Sequence, residues 1–152
     1  MPPGLGGIDY TLAQMRSLTD RYKSDPVIYQ LSRDLVRDLP QKDYHSEINS
    51  IFSFVQNNIR YTRDINGVET VQTPVKTLEV EQGDCDDKST LLAALLESVG
   101  FKTRFHAMGF RKNHINHVLL EVYIDNEWLA LDATEPQLMG WKPPAIVTSK
   151  YR

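Results

Sequence analysis

Apolar positions recur at threefold and fourfold spacing through the first third of the chain. Leu12, Met15 and Leu18, with Tyr22 four further on, predict a helix over about 10–23. Ser24-Asp25-Pro26 reads as a break and a restart, because Asp25 suits a cap and Pro26 the first helical position. The second helix carries Val27, Ile28, Leu31, Leu35 and Val36 on one face, and Pro40 stops it. A third helix, over about 44–58, has Ile48, Ile51, Phe52 and Val55 as its stripe, with Ile59 continuing it; such a stripe reads as core. Arg60-Tyr61-Thr62 reads as a short extended piece. Residues 64–83 read as mostly loop, with Asn66-Gly67 and Thr73-Pro74 inside it. A loop this long in a compact domain is expected to be functional, here as one wall of a cleft.

Past Gly83 the pattern sharpens. Asp84 is a candidate N-cap, Asp87 stands three residues later as in a capping box, and Gly100 suits a C-terminal stop. Leu91 to Leu96 is apolar on nearly every side, so this helix is predicted to be the most buried. The period then changes to two. Strands are predicted over 102–109, 117–124 and 127–133, with a turn at Asp125-Asn126. The end of the chain, with Pro136, Trp141, Pro143 and Pro144, reads as coil packed over the sheet. Helices first and an antiparallel meander afterwards is the α+β class.

Composition narrows the function classes. The 152 residues suit one domain, with a net charge of -3 that gives no broad attraction to nucleic acid or to anionic lipid. No apolar run approaches the length of a membrane span. The Pro/Gly-rich start, residues 1–8, reads as a flexible tail without the features of a secretory signal, so a cytoplasmic location is expected. Neither a cofactor motif nor a phosphate-binding glycine loop is present, and no cofactor is expected. A metal site from Asp84, Cys85, Asp86, Asp87 and His117 is disfavoured, because zinc prefers several Cys or His ligands.

The single cysteine excludes an internal disulfide. With Asp84 as cap, Cys85 opens a buried helix. The helix N-terminus favours a thiolate and offers backbone N–H groups to an oxyanion, which lowers the expected thiol pKa. Asp84, Asp86 and Asp87 act the other way if they point at the sulfur, so a nucleophile here needs a cationic neighbour such as a histidinium. The alternative is a small buried hydrophobe.

Of the four histidines, His45 and His114 read as solvated and His106 as a core residue. His117 opens a strand. A two-residue turn at Asp125-Asn126 pairs Ile124 with Glu127, Tyr123 with Trp128 and Glu121 with Ala130. His117 and Asp132 then share one face as diagonal neighbours. A three-residue turn separates them. The alternative for Asp132 is a carboxylate that merely ends the strand and binds its own backbone. Cys85, His117 and Asp132 supply the residue types of a nucleophile, a general base and an orienting carboxylate.

Gly83-Asp84-Cys85-Asp86-Asp87, Asn116-His117-Val118 and Trp128-Leu129-Ala130-Leu131-Asp132-Ala133-Thr134, in that order, resemble the transglutaminase-like superfamily of papain-like cysteine acyl-transfer enzymes. The resemblance covers roughly residues 45–140, leaving 9–44 as accessory helices and 141–152 as a C-terminal coil. Tyr61-Thr62-Arg63-Asp64, Gln72-Thr73-Pro74 and Gly140-Trp141-Lys142-Pro143-Pro144 are similar to small stand-alone members of tailed bacteriophages and prophages. The resemblance implies a helix bearing Cys85 packed on a sheet that carries His117 and Asp132, and a protein or peptide substrate attacked at an amide. It also implies phage virion or assembly proteins as partners. Larger transglutaminases hold the oxyanion with a Trp upstream of the cysteine; here both Trp128 and Trp141 lie downstream, and Tyr61, Gln72 and Gln82 are the substitutes. The alternative is an assembly or binding module that keeps the fold without catalysis.

Overall fold

A computed structural model describes residues 5–63 and 70–152. Three helices come first: α1 (Leu5–Tyr22), α2 (Pro26–Val36) and α3 (Tyr44–Asn58). A short strand β1 (Arg60–Tyr61), a helix α4 (Pro74–Val80) and a strand β2 (Gln82–Gly83) lead into α5 (Cys85–Ser98). Strands β3 (Thr103–Gly109), β4 (His117–Ile124), β5 (Glu127–Leu131) and β6 (Thr148–Tyr151) complete the chain.

Local chemistry sets the boundaries. Asp25 caps α2 by accepting from the Val27 N–H at 2.9 Å, with Pro26 at the first position. Asp43 caps α3, accepting from the Ser46 N–H. Gly100, at φ 100°, takes the left-handed conformation that ends α5.

Helix α5 is the centre of the molecule. Its residues Cys85 to Leu96 are all buried, and it packs against α1, α2, α3, α4 and β4. Its stretch Leu91 to Leu96 is apolar on every side because other elements cover it on every side. One continuous core joins Ile8, Leu12 and Met15 of α1 to Leu91–Leu96, to Phe105 and Ala107 of β3, and to Val118, Leu120 and Val122 of β4. The helices of residues 9–44 therefore share the core of the remainder.

The large sheet has the order β5-β4-β3-β6, antiparallel throughout. The β4–β5 register pairs Ile124 with Glu127, Tyr123 with Trp128, Glu121 with Ala130 and Leu120 with Leu131. The turn has two residues, Asp125 at φ 53° and Asn126 at φ 64°, the paired positive values of a type I′ turn. His45 of α3 meets the Asp125 carboxylate at 2.7 Å across the turn, yet stays exposed.

The α+β expectation holds, with three corrections. The start is not a tail over its whole length: α1 begins at Leu5 and Ile8 is fully buried, while residues 1–4 lie outside the described residues. The stretch 64–83 is not mostly loop where it is described. Thr73 caps α4 and Pro74 takes its first position, a signal that also reads as a turn when the helix is too short to show a period. Its part 64–69 lies outside the described residues. Finally, the C-terminal coil ends in β6, which pairs with β3 from His106↔Tyr151 to Gly109↔Thr148.

Side chains explain β6. Tyr151 stacks on the His106 ring at 4.3 Å, and Ser149 bonds its Nε2 at 2.8 Å. Lys142 reaches the buried Glu121 at 2.7 Å, as does Arg104 at 2.6 Å. Burial raises the Glu121 carboxyl, but His106, Lys142 and Arg104 outweigh it and bring it down to about 2. His106 is thus a partnered core histidine. Among the described residues no helix is long and apolar enough to cross a membrane.

Candidate active site

The site is built where the two sheets meet the start of α5. Asp84 accepts from the Asp87 N–H at 3.0 Å, and the Asp87 carboxylate accepts from the Asp84 N–H at 3.1 Å. This reciprocal capping box fixes Cys85 as the first residue of α5. The same Asp87 carboxylate accepts from the Gln72 N–H at 2.7 Å and from its side-chain amide at 3.2 Å. Burial, and then Asp84, push the Asp87 carboxyl up to about 7, against the N–H donors of Gln72 and Asp84.

The parallel pair β1–β2 sets Tyr61 opposite Gly83, and the Thr62 N–H donates to the Gly83 carbonyl at 2.9 Å. Tyr61 is thereby held beside Cys85. Burial raises its phenol, and the charges of Cys85 and Asp84 raise it further. No side chain fits at Gly83, because its Cβ would lie 2.6 Å from that of Asp87.

The hairpin supplies the second part. The His117 Nε2 meets Asp132 Oδ2 at 2.8 Å, and the Thr134 N–H donates to Asp132 Oδ1 at 3.1 Å. Both carboxylate oxygens are thus engaged, and the ring orientation is fixed from its far nitrogen. Asp132 is buried, whereas the His117 side chain retains 16% exposure.

The thiol departs from expectation. Cys85 is buried, and burial, then Asp86, then Asp84, push its pKa well above the ordinary thiol range. The Val118 backbone N–H, which favours the thiolate, does not offset this. The helix N-terminus therefore does not lower the thiol, because desolvation and two carboxylates act against it. The contact with Val118 places the sulfur one residue along the chain from His117. Among the described residues, no hydrogen bond joins the Cys85 sulfur to the His117 ring; the thiol's side-chain contact is with Asp86 Oδ1 at 3.7 Å.

Sequence reasoning named three substitutes for an upstream Trp. The Gln72 amide is engaged with the Gln82 carbonyl, Asp87 and Thr77. The Gln82 side chain accepts from Arg60 at 3.4 Å. Tyr61 is the one that faces the thiol electrostatically. The sequence reading overlooked Lys88, whose Nζ donates to the Ile59 carbonyl at 2.6 Å inside the buried face of α5. The signal was a lone lysine just before an unbroken apolar run. Among the described residues no group of three His, Cys, Asp or Glu side chains is arranged to hold a metal ion.

A candidate cysteine protease from Cytophaga hutchinsonii shares this fold with a TM-score of 0.60 and 22% identity, over 75% of this chain and 39% of that one. LapG of Legionella pneumophila, in its EGTA-treated form, superimposes with a TM-score of 0.58 and 23% identity, over 89% of this chain and 77% of that one. Rad4–Rad23 bound to a 6-4 photoproduct lesion matches with a TM-score of 0.56 and 13% identity, over 88% of this chain and 39% of that one. The chain thus spans well under half of the Cytophaga protein. No curated protein matches it in sequence. The core model of the transglutaminase-like superfamily matches residues 30–133, from α2 through the capping box of Cys85 and the His117–Asp132 pair, and the chain belongs to that superfamily.

Proposed function

We propose that the chain is a cysteine-dependent hydrolase or acyl transferase acting at an amide of a protein or peptide. The observation that carries this reading is the 2.8 Å His117–Asp132 pair, oriented at the strand end next to the helix start that holds Cys85. In this mechanism the thiol is neutral at rest, and His117 takes its proton as the sulfur attacks the carbonyl carbon. The Cys85 backbone N–H and the Tyr61 hydroxyl face the developing oxyanion. The C–N bond breaks, His117 returns the proton to the leaving amine, and a thioester on Cys85 remains. Water or a second amine then releases the acyl group. Water is preferred, since it needs no second binding site. The resemblance to small phage members makes virion and assembly proteins the first partners to try.

A second reading, a non-catalytic assembly or binding module, is favoured by one observation: the buried thiol, raised in pKa and without a bond to the His117 ring. Incubation of the purified chain and of Cys85→Ala with a peptide and protein panel, with and without a labelled primary amine, separates the readings by mass spectrometry. A Cys85-dependent cleavage product supports the hydrolase. Amine incorporated at glutamine side chains turns the reading to cross-linking. No Cys85-dependent product across the panel favours the binding module.

A further inference from the structure

A cavity of about 600 Å³ lies beside the candidate active site, and the reading above leaves it without a task. Its volume is in the range of small-ligand sites. Tyr61, which that reading sets at the oxyanion, forms part of the wall. Thr134, whose N–H donates to Asp132 Oδ1 at 3.1 Å, forms another part. Lys88 lines the cavity from α5, three residues after Cys85, a spacing that puts the two on one face of the helix. The cavity is therefore bounded by neighbours of Cys85 and of Asp132.

The lining is rich in hydrogen-bond donors. The buried Lys88, 2% exposed, donates to the Ile59 carbonyl at 2.6 Å. That is its one hydrogen bond among the described residues, so the ammonium keeps donors to spare. Arg60, exposed, makes one long bond of 3.4 Å to Gln82 Oε1. The amides of Gln56 and Asn58 are already spent on the carbonyls of Glu135, Gln137 and Phe54. Against the two cations, Glu81 is the one carboxylate in the lining among the described residues. Taking an ammonium out of water costs more than a single carbonyl returns, and a Leu or Met fills a helix interior without that cost. An anion in the cavity supplies the missing partner through charge-assisted hydrogen bonds.

We propose that this cavity is a carboxylate-binding subsite, with Lys88 at its floor and Arg60 at its mouth. It takes an acidic side chain or a terminal carboxylate of the peptide whose amide is presented to Cys85. The inference rests on the reading of Cys85 as the nucleophile and deepens it by naming a substrate class. The Arg60 fork matches the two oxygens of a carboxylate, and Lys88 adds a point charge below it.

Proton–nitrogen NMR of the full chain carrying Cys85→Ala tests this by titration with small ligands. The N-methylamides of N-acetylaspartate and N-acetylglutamate present a side-chain carboxylate, and N-acetylalanine presents a terminal one. The N-methylamide of N-acetylasparagine is the neutral isostere. Carboxylate ligands are expected to shift the backbone N–H signals of Tyr61, Gln82 and Thr134 saturably. The asparagine derivative should bind about tenfold more weakly or worse than the aspartate one. Adding Lys88→Met should weaken carboxylate binding by a similar factor, and adding Lys88→Arg should retain it. Tighter binding of N-acetylalanine assigns the subsite to a chain terminus, and tighter binding of the aspartate or glutamate derivative assigns it to a side chain. No saturable shift with any carboxylate ligand overturns the proposal, as do equal affinities for the aspartate and asparagine derivatives. Arg60→Gln, at an exposed position, carries the same test if the Lys88→Met chain fails to fold. The titration needs no turnover. Saturable carboxylate binding in a protein that cleaves no peptide sinks the hydrolase reading and keeps the subsite. Cys85-dependent cleavage without such binding keeps the hydrolase and overturns the subsite.

Discussion

Replacing Lys88 by Met makes the folded protein more stable at neutral pH, and the gain disappears as the pH rises. Burial lowers the Lys88 pKa from 10.5 to about 8, although Asp132 pulls the other way. Above 10.5 neither the folded nor the unfolded chain protonates this amine, so burial carries no ionic penalty. As the pH falls from 10.5 to 8, the unfolded chain takes up the proton first, and the native state loses stability. Below 8 both states are protonated and the loss stays constant at about 3 kcal/mol. That figure is an upper bound, because solvent in the cavity lined by Lys88 screens part of it. The variant also forfeits the bond to the Ile59 carbonyl, worth about 1 kcal/mol. The net expectation is a gain of about 1 to 2 kcal/mol at pH 7, turning into a loss of about 1 kcal/mol at pH 10.5 and above. Urea unfolding of both proteins at pH 7, 8, 9 and 10.5 reads this as a crossing of the two stability curves. Parallel curves, with wild type more stable throughout, would refute the reasoning.

Three more outcomes are expected. Gly109→Ala should unfold more readily by about 3 kcal/mol or more, because a Cβ there would lie 1.4 Å from the His114 carbonyl oxygen; thermal unfolding measures it, and an unchanged Tm counts against the loop geometry. Asp84→Asn keeps an acceptor at the cap and removes a carboxylate that raises the Cys85 thiol; iodoacetamide labelling at pH 8 should be faster than in wild type, with stability within about 1 kcal/mol. Asp132→Asn leaves the ring without its orienting charge and should slow any Cys85-dependent peptide cleavage on the order of 1,000-fold, a loss read from kcat rather than KM.

What was legible in the sequence follows from how local each signal is. The capping box at Asp84 and Asp87 is a three-residue interaction, and it is present as read. The hairpin register follows from one turn, because Asp125-Asn126 accepts positive φ at both positions; from there Glu121 is carried to Ala130, and His117 lands within reach of Asp132. The direction of the Cys85 shift was misread because it depends on burial, and burial comes from α1 to α4 closing over α5. Strand β6 was missed for a related reason. Its partners Arg104 and His106 lie far upstream and hold it by ring stacking, a cation–π contact and the bond to Ser149, which leave no period in the sequence. Helix α4 was missed because seven residues give no helical stripe to read.

Thr62 and Gln72 are tied to the chain on either side of Cys85. Thr62 is bonded to Gly83, and Gln72 to Asp87. The backbone of Thr62 and that of Gln72 are therefore held at two points that bracket the thiol. A change at Gly83 or at Asp87 displaces Thr62 or Gln72 together with Cys85, so the thiol and its two flanks vary as one unit.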